Sequence, residues 1–209
     1  MGVTAYTALA AHLLYPPSSW GVLMLPSVLH ELFVAGTFLI RPRPRRTLPG
    51  LLPKAVGYAH TFLLLVFLKV ASTWFPEWIA PTPNESLRFA GGYLWLLSTI
   101  VGIWPVWHMR RSFSLEPEAR TLVTTGPYRL ARHPIYAIYI VNFIGIWLHS
   151  VTVPFTLVMA VWFSLLLLRV RYEEQVLSGA FADYEGYRGR VGAFWPKLNL
   201  TRGPHSRVG

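Results

Sequence analysis

The chain has 209 residues, 53% of them hydrophobic and 13% charged, with a mean hydropathy of +0.40. Soluble domains carry about 25% charged residues, so the deficit points to lipid as the solvent. The formal net charge is +10, but the basic residues stand between long apolar runs, which makes membrane topology rather than a nucleic-acid partner their simplest cause. Cysteine is absent, which excludes disulfides, thiolate metal ligands, cysteine nucleophiles and C-terminal prenylation, and no metal site is expected.

Residues 3–15 are apolar but too few to span a bilayer, and Pro16-Pro17 ends them, so an interfacial helix is expected there. Tyr6 stands where a myristoylation signal needs Ser or Thr, and no Lys or Arg precedes Arg41, so the first apolar segment is expected to be retained. The first span is predicted from Trp20 to Ile40, ending at Arg41-Pro42-Arg43-Pro44-Arg45-Arg46. A second covers Ala55 to Phe75, and a proline-rich loop reaches Ser86. A third covers Phe89 to His108 and stops at Arg110-Arg111. Pro134 to Val170 is too long for one span and suits two helices reversing near His149-Ser150. The tail from Arg171 is polar and aromatic, and expected to be mobile after Leu200. No strands are expected.

Every Lys and Arg except Lys69 and Arg88 lies in the 41–54 loop, the 109–133 loop or residues 169–209. A five-span arrangement puts these three segments on one side. The positive-inside rule makes that side cytoplasmic and the N-terminus external. Tryptophans near the span ends fit an interfacial aromatic belt. The fold class is therefore all-α: one polytopic membrane domain over residues 1–209, with N-terminal spans in 1–109, a core in 110–197 and a flexible tail in 198–209.

Polar residues inside spans need a partner or a wet cavity. His30, Glu31 and Lys69 are in this position; a Glu31–Lys69 pair and a polar cavity lining both remain open. Near the cytoplasmic end of the fifth span, Arg169 and Glu173 are four apart, and both snorkelling arginines with compensating acids and a site for a zwitterionic ligand remain open. Arg169 and Glu174 are five apart, about 140° around the axis, and would flank a site rather than bond. His133 precedes Pro134, as a residue before a helix start does.

Taken together, Arg111-Ser-Phe-Ser114, Leu122-Val-Thr-Thr-Gly-Pro-Tyr-Arg129, Arg132-His-Pro-Ile-Tyr136, Arg169-Val-Arg-Tyr-Glu-Glu174, Phe181-Ala-Asp-Tyr-Glu-Gly-Tyr187 and Trp195-Pro196 resemble the isoprenylcysteine carboxyl methyltransferase and phospholipid methyltransferase family of membrane enzymes. The resemblance covers residues 110–197 and implies S-adenosyl-L-methionine as methyl donor, bound in a cytoplasmic pocket made by the last two spans and the tail. It implies that His133 and Tyr136 contact this cofactor, with Arg132 and Glu173 beside them. Leu122, Val123, Gly126 and Tyr128 belong to the loop that wraps it, and Tyr184 and Tyr187 close the pocket. Arg169 and Glu174 are the implied catalytic pair, Glu174 also touching the cofactor. The acceptor would be a lipophilic small molecule entering from the membrane lipids. The resemblance fixes neither its identity nor the oligomeric state. Related scaffolds also serve sterol reductases that bind a nicotinamide cofactor. Ile138 replaces the family's Gly two residues after the motif Tyr, and Ala182 replaces the Gly of Phe-Gly, so close helix packing at those points is not expected.

Overall fold

The computed structural model describes residues 20–197. The expected interfacial helix at 3–15 and the tail after Leu200 lie outside them. Five long helices follow in order: α1 (Trp20–Ile40), α2 (Leu51–Trp74), α3 (Glu85–Met109), α4 (Pro134–His149) and α5 (Val153–Ala180), then the short α6 (Tyr184–Arg190). The ends of α1 and α4 and the C-terminal ends of α2 and α3 fall within a residue of the predicted ones, but α2 and α3 start four residues earlier, and α5 continues ten residues past Val170 into the stretch read as a polar tail. Asn84 caps α3 by accepting from Leu87 N at 3.2 Å, Thr152 caps α5 by accepting from Phe155 N, and Pro134 opens α4 at the position where a missing N–H is harmless.

The protein is a polytopic helical membrane protein. Helices α2, α3 and α5 have 24, 25 and 28 residues and are long and apolar enough to cross a bilayer. Helix α1 has 21 residues. Helix α4 has only 16, roughly 24 Å at 1.5 Å per residue, which falls short of the ~30 Å hydrocarbon core. Its shortness follows from the polar turn Ser150–Thr152, whose side chains bond to the opposite loop.

Helix α4 lies along α3. The close approach is at Gly91 and Gly145: a Cβ on Gly91 would collide with Gly145 O, and one on Gly145 would sit 2.6 Å from Gly91 O. Small residues let membrane helices come this near. The family's missing Gly at Ile138 is thus offset by a Gly pair further along the same two helices. Trp95, Phe143, Phe155, Trp162 and Leu166 fill the core between α2, α3, α4 and α5.

Contrary to expectation there is a small sheet. Strands β1 (Arg46–Thr47) and β2 (Glu118–Ala119) pair antiparallel, Arg46 opposite Ala119. They join the first two basic loops, and Arg46 donates to Gly179 O near the end of α5. Arg120 donates to Pro42 O, and Arg41 Nη1 to Phe113 O at 3.5 Å. The three basic segments therefore meet at one end of the bundle.

Candidate active site

At that end the tail folds back under α4. Arg132 N donates to Gly192 O and His133 N to Ala193 O, both at 2.8 Å, and Tyr187 Oη donates to Tyr128 O at 2.6 Å. The Gly126-Pro127 turn is held from above. Gly126 has φ +59°, and a Cβ there would collide with the His108 ring, so only glycine fits.

Two neighbouring carboxylates organise the charges. Glu174 Oε1 accepts from Arg132 Nε at 2.9 Å, Arg132 Nη2 at 2.6 Å and His133 Nε2 at 3.2 Å, and Arg188 Nε lies 3.5 Å from Oε2. Glu173 Oε1 accepts from the Tyr136 hydroxyl and from Arg169 Nε at 3.1 Å. Arg169 and Glu173 pair across four residues of α5, and no bond joins Arg169 to Glu174. His133 stands between the carboxylates, its Nδ1 3.8 Å from Glu173, and its ring stacks on Tyr136 at 5.7 Å.

A cavity of ≈ 210 Å³ begins here and runs inward between α1, α2, α3, α4 and α5. Leu122, Val123 and Tyr128 of the predicted loop line it, as do Arg132, His133 and Tyr136. Arg169 and Glu173 line it from α5, Tyr184 and Tyr187 from α6. Glu174 and Gly126 are outside the lining: Glu174 holds Arg132 and His133 in place from behind, and Gly126 shapes the turn. A second, open hollow between Arg45, Phe181, Asp183 and Arg190 shares Leu122 and Tyr187 with the cavity. Burial raises the pKa of Tyr184, helped by the Glu174 charge; burial alone pushes Tyr187 up to about 12, and burial with the Glu173 charge raises Tyr128. All three phenols stay neutral donors at pH 7.

Arg169 sits in the wall with its donors engaged. Nη1 reaches Thr61 Oγ1 at 3.0 Å, Gly57 O at 3.3 Å and His60 Nδ1 at 3.3 Å, and Nη2 reaches Ser114 O at 2.9 Å. It ties α5 to α2 and to the 110–119 loop, and 5% exposure leaves it little freedom to leave them.

Several lining residues carried no motif. His60, Thr61 and Trp162 join the site, and Ser98, Thr99 and Asn142 make a polar patch deeper in. A His in an apolar span is the same signal that singled out His30, and His60 met it equally. His30 does line the cavity, beside Gly102. Lys69 is exposed near the far end of α2; the Glu31 side chain lies outside the described part, so the Glu31–Lys69 pair does too.

The fold and site define a helical membrane protein with a mainly apolar cavity whose charged and phenolic groups gather at the basic end. Residues 87–184 match the family model of phospholipid methyltransferase, in agreement with the family the motifs resemble. The chain is similar to the cobalt-zinc-cadmium resistance protein CzcN of Cupriavidus metallidurans, 32% identical over 68% of this chain and 62% of that protein. It is also similar to the nickel-cobalt-cadmium resistance protein NccN of Alcaligenes xylosoxydans xylosoxydans, 29% identical over 67% of this chain and 62% of that one. The chain thus spans under two thirds of the length of the curated relatives it matches.

The residues present fit S-adenosyl-L-methionine. Carboxylates and arginines stand together for a zwitterionic end, and aromatic faces suit a sulfonium and a base. The Tyr184 hydroxyl is buried beside the Arg132 guanidinium, which can only donate, so its own O–H is left to donate to a ligand.

Proposed function

We propose that this protein transfers a methyl group from S-adenosyl-L-methionine to a small lipophilic acceptor at the cytoplasmic membrane face. The observation that carries the reading is the two-ended cavity: charged and phenolic groups at the mouth, and Trp95, Phe143 and Trp162 at hydrocarbon depth. Arg132, His133, Tyr136, Tyr184 and Tyr187 would hold the cofactor, Glu174 fixing the first two. When bound it supplies a methyl on a sulfonium, whose sulfur keeps the bonding pair and leaves as a neutral thioether, so neither a metal nor a strong acid is required. The protein's work is then positioning and a matched electrostatic surround. Glu173 orients the Tyr136 hydroxyl and Arg169, and Arg169 braces α2 against the reacting space. A carboxylate acceptor is ionised at pH 7 and needs no base; for an amine, Glu173 or His133 would take the proton.

The basic end faces the cytoplasm in this reading, the chain crosses five times with the N-terminus outside, and the acceptor enters from the membrane lipids between helices. The metal-resistance names belong to the two relatives; this chain has no cysteine to offer a thiolate site. The test is ligand-dependent heat stabilisation of purified protein. S-adenosylhomocysteine should stabilise it and NADPH should not. Stabilisation by NADPH alone would replace methyl transfer with reduction.

A further inference from the structure

Two polar atoms in the cavity have no use in the reading above, and they are of opposite sense. The first is on His60, which is 4% exposed. Its Nδ1 lies 3.3 Å from Arg169 Nη1. A guanidinium only donates, so Nδ1 holds a lone pair and the single proton of the neutral ring sits on Nε2. That Nε2–H is buried and meets no acceptor among the described residues. The ring cannot turn away: it stacks on Trp162 at 5.0 Å and meets the Tyr136 ring edge-on at 6.0 Å. A ligand satisfies this donor only by presenting an oxygen or another lone pair.

The second is on Asn142. Its Nδ2 donates to Trp95 O at 3.2 Å, Ser98 Oγ at 3.1 Å and Thr99 Oγ1 at 3.0 Å. Both hydroxyls already donate to Trp95 O, so the two amide hydrogens are shared among three acceptors, and Trp95 O, which can only accept, faces Nδ2 rather than Oδ1. Oδ1 then points away from these three atoms, and Asn142 lines the cavity. A polar acceptor at hydrocarbon depth calls for a ligand O–H or N–H. Asn142 is six residues beyond Tyr136 on α4, roughly 9 Å along the axis.

We propose that the methyl acceptor is a two-headed lipophile, held by an oxygen at His60 Nε2–H and by a hydroxyl or N–H at Asn142 Oδ1. The apolar stretch between its two polar groups lies against Tyr139, Phe143 and Trp162. The word acceptor rests on the methyl-transfer reading; the binding itself does not, because it involves neither the cofactor nor Glu174.

The probes are octanoate, 8-hydroxyoctanoate and 4-hydroxybutanoate, titrated against the full chain in detergent without cofactor and read by tryptophan fluorescence. Wild type should bind 8-hydroxyoctanoate about fivefold more tightly than octanoate, the gain of one neutral hydrogen bond. The short 4-hydroxybutanoate should bind worst. Asn142→Leu should erase the fivefold difference while keeping octanoate affinity. His60→Phe should weaken both eight-carbon probes by about tenfold or more, and His60→Gln, whose amide accepts from Arg169 and donates onward, should recover most of it. In ¹⁵N-histidine-labelled wild type, the His60 Nε2–H resonance should move when octanoate is added. Equal wild-type affinity for the two eight-carbon probes, or an unmoved resonance, would overturn the proposal without any variant. Failure of S-adenosylhomocysteine to stabilise the protein, with probe discrimination intact, would instead sink the methyl-transfer reading alone.

Discussion

At the end of the bundle where Pro76–Ile79 meets the α4–α5 turn, the chain segments are joined by neutral hydrogen bonds between short side chains and backbone. At the opposite end they are joined by arginines and carboxylates. At the first end Thr82 N donates to His149 O at 2.8 Å, Val151 N to Thr82 Oγ1 at 2.8 Å, Ser150 Oγ to Ala80 O at 2.9 Å and Thr152 Oγ1 to Trp78 O. Each donor has one local partner, so this end is a latch. At the other end Glu174 serves Arg132, His133 and Arg188 together, and Arg169 bonds to α2, to the 110–119 loop and to Glu173. Glu174 has several partners of similar geometry and can exchange one for a ligand, while the buried Arg169 keeps its partners and braces the wall. The same bundle therefore carries a fixed end and an adaptable one, and the methyl transfer proposed above is assigned to the adaptable end.

The largest effect should come from Glu174→Gln. Each charge-assisted bond is worth about 1.5–3 kcal/mol, so loosening Arg132 and His133 should lower methyl transfer by about 100-fold and remove stabilisation by S-adenosylhomocysteine. A labelled-donor assay and a thermal melt check both. Unchanged donor binding would remove Glu174 from the site. Gly145→Leu tests the scaffold between the ends. A side chain there meets Gly91 O and Trp95 N, both backbone atoms that cannot move aside, so a loss of about 1–3 kcal/mol is expected with the fraction of active protein falling accordingly. Thr82→Val breaks the latch alone. It should cost about 1 kcal/mol and leave turnover per folded molecule unchanged; a selective loss of turnover would show that the two ends are coupled.

The smallest effect is a pH dependence. An unfolded tyrosine ionises near pH 10, and Tyr187 in the fold does so at about 12. The fold keeps a proton that the unfolded chain has lost, so stability should fall as pH rises from about 10 to 12. Tyr187→Phe should flatten part of that fall in melts taken across the range, because it removes one of the phenols responsible.

Much of this architecture was legible in order. Trp20–Ile40 and Phe89–His108 are apolar runs stopped by arginines, and Pro134 and Ser150 punctuate the apolar stretch beyond them, so these helix ends could be placed from hydropathy and turn chemistry, whereas the polar last ten residues of α5 could not. The shared side of the basic segments followed from charge counting, and the contact of Arg46 with Gly179 agrees with it. The motifs led to Glu173, Tyr136 and Tyr187 because they recur as local patterns.

His60 and Asn142 were not found that way, since each is one polar residue in an apolar run and its partner is about 109 or 47 residues distant. Local pattern reports which face of a helix is apolar, not which helix it meets. The β1–β2 pair was missed because two-residue strands are too short to show alternation. What this amino-acid order determined by itself was a set of apolar helices, most of their boundaries and the segregation of charge, because burial in lipid constrains each segment separately. What tertiary structure decided was which polar atoms are satisfied and which are left over. That depends on side chains from α2, α3, α4 and α5 meeting in one cavity, and hydrogen bonds act only over about 3 Å.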